Sequence, residues 1–193
     1  MKYNNIEYNE CEEVYPPAED TFLLIDNLEV YADEEVLEVG VGTGIVSISA
    51  SFVCKNVLAV DINPHAIRCA ENNIKLNNRS NIKVIESDLF ENVDDKYDLI
   101  IFNTPYLPVE EDELSDDYSK AWDGGVDGRK VIDKFIDDSL SYLKDNGRIQ
   151  LVQSSLSDNE KTLEKYRKMG VNAEITAKEH AFFEDITLIT IKK

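Results

Sequence analysis

An asparagine, a proline and a tyrosine stand together directly after a hydrophobic run in the stretch FNTPYLP, residues 102–108. The side-chain oxygen of Asn103 and the backbone carbonyl of Thr104 could each accept one N–H of a planar NH2 group. An amide or exocyclic amine nitrogen is a poor nucleophile because its lone pair is delocalised. A clamp on both N–H groups would aim that lone pair at an electrophile and stabilise the positive charge that develops.

The two residues that follow suit the same chemistry. Pro105 stiffens the turn and biases Thr104 toward an extended conformation, which holds the Thr104 carbonyl in place. Tyr106 offers a flat wall for a planar amide or base. An Asn-X-Pro turn at a strand end is the alternative, purely structural interpretation. We treat Asn103, Thr104, Pro105 and Tyr106 as the candidate catalytic residues.

A glycine-rich turn earlier in the chain predicts a nucleotide site. The stretch VLEVGVGTG, residues 36–44, places Gly40 and Gly42 where a strand becomes a helix, and Asp61 ends the following strand. Glycines at such a turn let a ligand approach the backbone closely, and an acid at the end of the second strand can hold both hydroxyls of a ribose. The pattern predicts a ligand with an adenosine group.

Two residues favour S-adenosylmethionine over a dinucleotide. Ile45 occupies the position where the dinucleotide fingerprint requires a small residue beside the pyrophosphate. Glu38 would add a negative charge beside a diphosphate, yet it suits a ligand that carries an ammonium and a sulfonium. The third strand ends in SDLF, where the carboxylate of Asp88 could accept from the adenine amino group and Leu89 could pack on the ring. An acid that closes a strand is also an ordinary cap.

The elements that position these residues alternate along the chain. A helix is predicted over about residues 18–30, and seven strands then alternate with further helices. This order is typical of an α/β, Rossmann-like doubly wound sheet with helices on both faces. Ligands of such sheets bind at the carboxyl ends of the strands. The length of 193 residues predicts a single domain, residues 1–193.

Charge and composition narrow the classes of function. The formal net charge of −19 disfavours a nucleic-acid substrate, because phosphate binding depends on lysine and arginine. No apolar run is long enough to span a membrane, and the polar start does not resemble a signal peptide, so we expect a cytoplasmic protein. Cys11, Cys54 and Cys69 are odd in number and widely separated, which favours reduced thiols over disulfides or zinc. We expect no metal site.

Six motifs together give the chain a resemblance to a known family, listed in chain order: VYPPAEDTFLLIDNL, VLEVGVGTG, DINPHA, SDLF, FNTPYLP and WDGGVDGR. In order and spacing they resemble the HemK/PrmC-type methyltransferases, in particular the short eukaryotic and archaeal branch. That branch methylates the glutamine of the Gly-Gly-Gln motif in class I translation termination (release) factors. The resemblance implies a class I S-adenosylmethionine-dependent methyltransferase with a mostly parallel sheet of strand order 3-2-1-4-5-7-6.

The resemblance also implies roles for individual residues. Thr21 corresponds to the residue that closes over the methionine group, and Glu38 and Gly40 correspond to contacts with its amino end. Asp61 corresponds to the family's ribose-binding acid, and Asp88 and Leu89 correspond to its adenine contacts. Asn103 and Tyr106 correspond to the residues that hold the target amide. The segment WDGGVDGR, with Trp122, Gly124, Gly125 and Gly128, resembles the roof of the substrate pocket; a simple loop is the alternative.

Two departures from the family affect substrate recognition. The family usually has proline where this chain has Thr104, although the clamp needs only the carbonyl at that position. The helical domain at the start of the bacterial members is missing here, so recognition is expected from the pocket rim or from a partner. The resemblance implies a small zinc-binding activator subunit, which we expect to extend the sheet along its third strand, where Ile82, Val84 and Ile85 are available.

Three other functions remain open from the residues. The same clamp could hold a flipped adenine for N6 methylation of DNA or RNA. The acidic run EEDELSDD, residues 110–117, could attract a basic protein for lysine methylation, or could simply be a solvated loop. A scaffold that binds the cofactor without catalysis is the third.

Overall fold

The computed structural model describes residues 1–106, 127–181 and 183–193 of the chain. The strands are β1 (Lys2–Tyr3), β2 (Ile6–Glu7), β3 (Glu35–Val39), β4 (Asn56–Asp61), β5 (Ile82–Glu86), β6 (Tyr97–Asn103), β7 (Leu143–Ser154), β8 (Asn172–Ala181) and β9 (Glu184–Lys192). The helices are α1 (Glu19–Asp26), α2 (Ile45–Ser51), α3 (Pro64–Leu76), α4 (Lys130–Ser139) and α5 (Asn159–Lys168), with a 3-10 turn at Ser155–Ser157.

Seven strands form one sheet in the order β5-β4-β3-β6-β7-β9-β8. Strands β5, β4, β3, β6 and β7 are parallel, and β9 is antiparallel to both of its neighbours. Counted along the chain, this is the predicted order 3-2-1-4-5-7-6, so the predicted fold class is confirmed. The chain moves outward in one direction from β3 to β5 and then returns to β6 on the other side of β3. Ligands of open α/β sheets bind at such a reversal, outside the carboxyl ends of the strands.

The central strands are apolar on both faces because helices cover both sides of the sheet. Val36 and Leu37 of β3, and Leu99, Ile100 and Ile101 of β6, are completely buried. Continuous apolar runs of this kind are typical of parallel strands buried on both faces. The result is a rigid base that fixes where Val39 and Asn103, the last residues of β3 and β6, emerge.

Helix α1 is shorter than the sequence predicts. It ends at Asp26 rather than near residue 30. The side chain of Asn27 donates to the carbonyl of Leu23 at 2.8 Å, and beyond it the N–H of Glu29 donates to the side-chain oxygen of Gln150 at 2.8 Å. The chain therefore leaves the helix to bond with β7. The bond between Glu29 and Gln150 joins residues far apart in the sequence, which a periodic pattern does not reveal.

The start of the chain contains a small hairpin of β1 and β2 that the sequence did not indicate. Strands of two residues are too short to show periodicity. After the hairpin, the N–H of Asn9 donates to the side-chain oxygen of Asn73 at 2.9 Å, and the side-chain nitrogen of Asn73 donates back to the Asn9 carbonyl at 3.0 Å. This pair of bonds fixes the N-terminal segment against α3.

The prediction of three reduced cysteines is wrong. Cys11 and Cys69 form a disulfide with their Cα atoms 6.1 Å apart, and only Cys54 is a free, buried thiol. Cys69 lies one helical turn before Asn73, and the bonds between Asn73 and Asn9 bring Cys11 beside it. Spacing along the sequence did not show this proximity because it is created by the docking of the N-terminal segment on α3.

Among residues 1–106, 127–181 and 183–193, no helix is long and apolar enough to cross a membrane. Within the same residues, no group of three or more His, Cys, Asp and Glu side chains is arranged to hold a metal ion.

Candidate active site

The glycine-rich turn after β3 brings open backbone to the reversal point of the sheet. Gly40 and Gly42 have φ angles of 71° and 51°, a left-handed conformation that glycine adopts without strain. The N–H groups of Gly40 and Val41 donate to the carbonyl of Val60 at 2.8 and 3.0 Å. A Cβ on Gly40 would lie 3.2 Å from the ring of Phe102, the residue before Asn103. The nucleotide turn and the candidate clamp are therefore neighbours.

Asp61 joins the ends of β3 and β4. One of its carboxylate oxygens accepts from the N–H of Gly42 at 3.0 Å, and the other accepts from the N–H of Asn63 at 2.9 Å. Burial raises the pKa of Asp61, and the backbone N–H groups partly offset this effect. Asn63 in turn caps α3 by accepting from the N–H of His65. The carboxylate is thus held in one orientation beside the turn.

Glu38 is a buried acid on β3 beneath the same turn. Burial raises its pKa to about 8, although a hydrogen bond from the hydroxyl of Ser47 opposes the shift and the charge of Asp61 adds to it. Ser47 lies in the first turn of α2, so helix and strand are linked through this acid. A carboxyl group in such a position is neutral in part at neutral pH and gains from a cation placed beside it.

The end of β5 forms a strained turn. Leu89 is buried and has a φ angle of 49°, a conformation that costs a residue with a side chain about 1–2 kcal/mol. Ser87 supports the turn, because its hydroxyl donates to the Leu89 carbonyl at 3.0 Å and accepts from the N–H of Asn92 at 3.0 Å. Strain of this kind is concentrated at functional positions. The turn carries Asp88 and Leu89 and follows directly after Glu86, which pairs with Asp61 of β4.

Asp88 has a partner that the sequence did not reveal. The ammonium of Lys134, on α4, lies 2.8 Å from the Asp88 carboxylate, and both side chains are partly exposed. The pairing raises the pKa of Lys134. A ligand that uses Asp88 as an acceptor must therefore share the carboxylate with Lys134 or displace it.

Asn103 ends β6 with a buried acceptor that has no donor. Among the residues that the structure describes, none donates a hydrogen bond to its side-chain oxygen Oδ1. An unsatisfied buried acceptor costs about 1–3 kcal/mol, and each such group in a folded protein calls for an explanation. The oxygen is available for an N–H donor that none of the described residues supplies.

Thr104 is anchored firmly to the next strand. Its N–H and its hydroxyl both donate to the carbonyl of Val152, at 3.2 and 2.8 Å. Proline, the usual residue of the resembled family here, could make neither bond. The threonine therefore adds an attachment to β7, and the backbone that carries the Thr104 carbonyl is held by two bonds.

Tyr106 is buried and hydrogen-bonded to the first turn of α1. Its hydroxyl donates to Oδ2 of Asp20 at 3.1 Å, and Oδ1 of Asp20 accepts from the N–H and the hydroxyl of Thr21, at 2.6 and 3.1 Å. Tyr15 also hydrogen-bonds to Asp20. Burial, followed by the charge of Asp20, raises the pKa of Tyr106 strongly. Sequence reasoning missed Asp20, although its place before Thr21 in the AEDT stretch was a usable signal.

The carbonyl of Tyr106 meets the 3-10 turn that follows β7. It accepts from the hydroxyl of Ser157 at 2.9 Å, and a Cβ on Gly128 would lie only 2.4 Å from it. Gly128 has a φ angle of 68°. The buried guanidinium of Arg129 next to it donates to the carbonyls of Ser157 and Asp158. The predicted roof residues Trp122, Gly124 and Gly125, and the acidic run 110–117, lie outside the described residues.

The structure thus brings the predicted site residues to one edge of the sheet. The ends of β5, β4, β3 and β6 stand side by side in that order. They carry, respectively, the Asp88 turn, Asp61, the glycine turn with Glu38 beneath it, and Asn103. Thr21 joins them through Asp20 and Tyr106. The arrangement can hold an adenosine group with a cationic tail on one side of β3 and a planar N–H donor on the other.

Comparisons with known proteins agree with this arrangement. A family model described as "Methyltransferase small domain" matches residues 19–117. A protein of Methanocaldococcus jannaschii described as a putative protein N5-glutamine methyltransferase is 49% identical over 179 residues, which cover 92% of this chain and 90% of that protein. The methyltransferase HEMK2 of Homo sapiens is 34% identical over 194 residues, covering 94% and 90%.

A solved structure has a similar fold. It is the Mtq2–Trm112 complex of E. cuniculi, which is responsible for the methylation of the eRF1 translation termination factor. The TM-score is 0.73 at 23% identity, and the match covers 94% of this chain and 99% of the other.

Proposed function

The chain belongs to the methyltransferase small domain family, and from this premise we propose which methyl group it transfers and to what. The donor is S-adenosylmethionine, and the acceptor is the side-chain amide nitrogen of the glutamine in the Gly-Gly-Gln motif of a class I translation termination factor. The single observation that carries this assignment is the buried Oδ1 of Asn103, which accepts no hydrogen bond from residues 1–106, 127–181 or 183–193.

Three features of the glycine side of the site suit the donor, which supplies an electrophilic methyl group on a positively charged sulfur. The backbone at Gly42 has open space for a ligand, and Asp61, held beside it by the Gly42 N–H, would accept from ribose hydroxyls. Leu89 and Asp88 would contact the adenine. The methionine end would be held by Glu38, Gly40 and Thr21. Its ammonium would lie beside buried Glu38, and a cation there favours the ionised form of that carboxyl group.

The clamp side suits a primary amide. Oδ1 of Asn103 accepts one N–H of the target, and the carbonyl of Thr104 accepts the other. With both N–H groups fixed, the nitrogen lone pair is aimed at the methyl carbon, and the two oxygens stabilise the positive charge that develops on nitrogen. Pro105 holds the Thr104 backbone extended, and the ring of Tyr106 forms the wall against the amide plane. The bond to the substrate also relieves the cost of the unsatisfied Asn103 oxygen.

Glutamine in a termination factor is supported over the other planar targets by the relatives. The Methanocaldococcus jannaschii protein is described as acting on glutamine N5, and the E. cuniculi complex methylates eRF1. The charge of −19 opposes binding of a nucleic acid for adenine methylation. A lysine target would not need two acceptors for a planar NH2 group.

The test compares two versions of a termination factor, one with Gly-Gly-Gln and one with Gly-Gly-Ala, in the presence of donor with a labelled methyl group. We expect label in the first version only, and mass spectrometry should place it on the glutamine side chain. Equal labelling of the alanine version would exclude the glutamine assignment. Label on a lysine, or on an adenine in added nucleic acid, would identify the acceptor as one of the alternatives.

We also propose that a small zinc-binding subunit joins the sheet along β5. The sheet order leaves β5 at an edge, and Ile82, Val84 and Ile85 are only half-buried there. Exposed edges of this kind are usually covered, and strand addition is a common way to do so. The E. cuniculi relative was solved as a complex with Trm112. A monodisperse chain that is fully active alone would contradict this proposal.

A further inference from the structure

A rim on the Tyr106 side of the candidate active site consists of two exposed apolar residues and one half-buried acid. We call these residues, Leu156, Phe183 and Glu184, the acidic rim. Phe183, at the tip of the β8–β9 hairpin, is 97% exposed, and Leu156, in the 3-10 turn after β7, is 56% exposed. The bond between Ser155 and Asp185 brings the segments that carry Leu156 and Phe183 together, and an exposed apolar patch beside a functional site is typical of a contact surface. Glu184 begins β9 beside Phe183.

The 3-10 turn connects the acidic rim to the clamp through two serines. The hydroxyl of Ser157 donates to the carbonyl of Tyr106 at 2.9 Å, and the hydroxyl of Ser155 accepts from the N–H of Asp185 at 3.0 Å. Leu156 lies between these two serines. The turn therefore spans from the end of the clamp to the hairpin tip in three residues. A peptide whose glutamine enters the clamp has this surface directly beside it.

Glu184 carries a second buried acceptor, after that of Asn103. Its oxygen Oε2 is buried, and none of the residues described by the structure donates to it. The neighbouring acid Asp20 has its oxygens occupied by Thr21, Tyr106 and Tyr15. The negative charge of Glu184 reaches this cluster, since it adds to the raised pKa of both Tyr15 and Tyr106. The acid lies close to the clamp but takes no part in its bonding.

Resting on the proposed function, we propose that the acidic rim binds the part of the protein substrate beside the target glutamine. Phe183 and Leu156 pack against an apolar side chain of that segment, and the carboxylate of Glu184 pairs with a lysine or arginine. The chemistry follows from charge complementarity: in a chain of net charge −19, a half-buried carboxylate with one oxygen that no described residue bonds gains most from a cationic partner. Glu184 is then a specificity-determining residue.

Binding of labelled peptides to the full chain tests the proposal. The peptides share Gly-Gly-Gln, and a single lysine is moved through the positions on either side of the motif, with a neutral isostere of lysine as reference. We expect at least one lysine position to tighten binding by about tenfold. Glu184→Gln should remove that preference, and Phe183→Ala should weaken all the peptides several-fold. Affinity for the methyl donor should not change in either variant.

Two matched variants serve as controls. Glu174→Gln changes an exposed acid at the far end of β8, and Met169→Ala changes an exposed apolar residue after α5, so neither should affect peptide binding. A lysine preference that survives in Glu184→Gln, or no preference at any position, would overturn the proposal. A lysine preference without methyl transfer to any of the peptides would support the acidic rim and contradict the proposed function.

Discussion

The hydroxyl of Tyr106 lies 3.1 Å from Oδ2 of Asp20, so the residue that closes the clamp after β6 is fixed by the first turn of α1. The same carboxylate accepts from Thr21, a candidate donor contact. One buried acid therefore aligns a residue proposed for the methyl donor with a residue proposed for the acceptor. Alignment of the two reactants is a large part of catalysis in group transfer, because transfer requires the reacting atoms to be in line.

Replacement of Tyr106 by phenylalanine keeps the ring and removes this bond. We expect the free energy of unfolding to fall by about 1–3 kcal/mol, because Asp20 loses a donor while it stays buried. We also expect kcat to fall about tenfold or more, since the wall of the clamp is no longer fixed. Tyr166→Phe is the matched control. It removes a buried hydroxyl 3.0 Å from Ser139 Oγ, between α4 and α5, and should lower stability while kcat is unchanged.

Glu38 should make the stability of the donor-free chain depend on pH. Its pKa is raised from 4.5 to about 8 by burial, so between these values the folded chain holds a proton that the unfolded chain has lost. The free energy of unfolding should therefore decrease as pH rises from about 4.5 to about 8, and this contribution should be constant above that range. Melting temperatures of the chain and of Glu38→Gln across this pH range measure the effect. If the melting temperature of Glu38→Gln depended on pH in the same way, the effect would belong to other titratable groups.

The affinity for the methyl donor should depend on pH in the opposite sense. If Glu38 receives the ammonium of the donor as a carboxylate, the proton must leave first. Below pH ~7.5, the dissociation constant should then fall by up to about tenfold for each unit by which the pH rises. Calorimetric titration of the chain and of Glu38→Gln tests this. A steep slope that persists in Glu38→Gln would be inconsistent with the proposed contact.

Gly128 should tolerate a side chain far less well than Gly170. Both have a positive φ angle, 68° and 84°, so alanine at either position costs about 1 kcal/mol or more for the backbone. Only at Gly128 does the new Cβ clash, 2.4 Å from the Tyr106 carbonyl, whereas Gly170 has open space. Denaturant unfolding should show Gly128→Ala to be the less stable variant by at least about 1 kcal/mol. Equal losses would show that the contact with Tyr106 does not constrain the fold.

The Cys11–Cys69 disulfide should contribute strongly to stability. It joins residues separated by 58 positions, and closing a loop of that length in the unfolded chain stabilises the fold by about 4 kcal/mol. A reductant should lower the unfolding midpoint of the natural chain to that of Cys11→Ser and leave the Cys11→Ser midpoint unchanged. Cys54→Ala, which alters the free thiol, should keep its sensitivity to reductant. If the reductant did not change the unfolding midpoint of the natural chain, the disulfide would be contradicted.

The positions of the strand ends could be predicted from the sequence, because they depend on local signals. The apolar run before Asn103 and the glycines after β3 mark where the strands end, and the βα alternation predicts the sheet and its ligand edge. The Asn63–Pro64 pair likewise marks the start of α3. These signals lie within a few residues of the feature that they specify.

Apart from the short β1–β2 hairpin, the missed features join residues that are distant in the sequence. Lys134 pairs with Asp88 across 46 positions, Tyr106 with Asp20 across 86, and Gln150 with Glu29 across 121. Each contact forms only because the sheet brings the two elements together, so neither residue carries a local signal for the other. The disulfide was not predicted for the same reason, because Cys11 and Cys69 are 58 positions apart. A clamp could thus be predicted from the sequence, but not the bonds that hold it in place.

Asn103→Ala tests the central claim most directly. The account predicts that methyl transfer to the Gly-Gly-Gln termination factor falls by about a thousandfold or more, as for the loss of an essential electrostatic contact. Donor affinity should be nearly unchanged, and the melting temperature should not fall, because the removed oxygen has no donor among the described residues. Methyl transfer at the natural rate by a correctly folded Asn103→Ala chain would contradict the account.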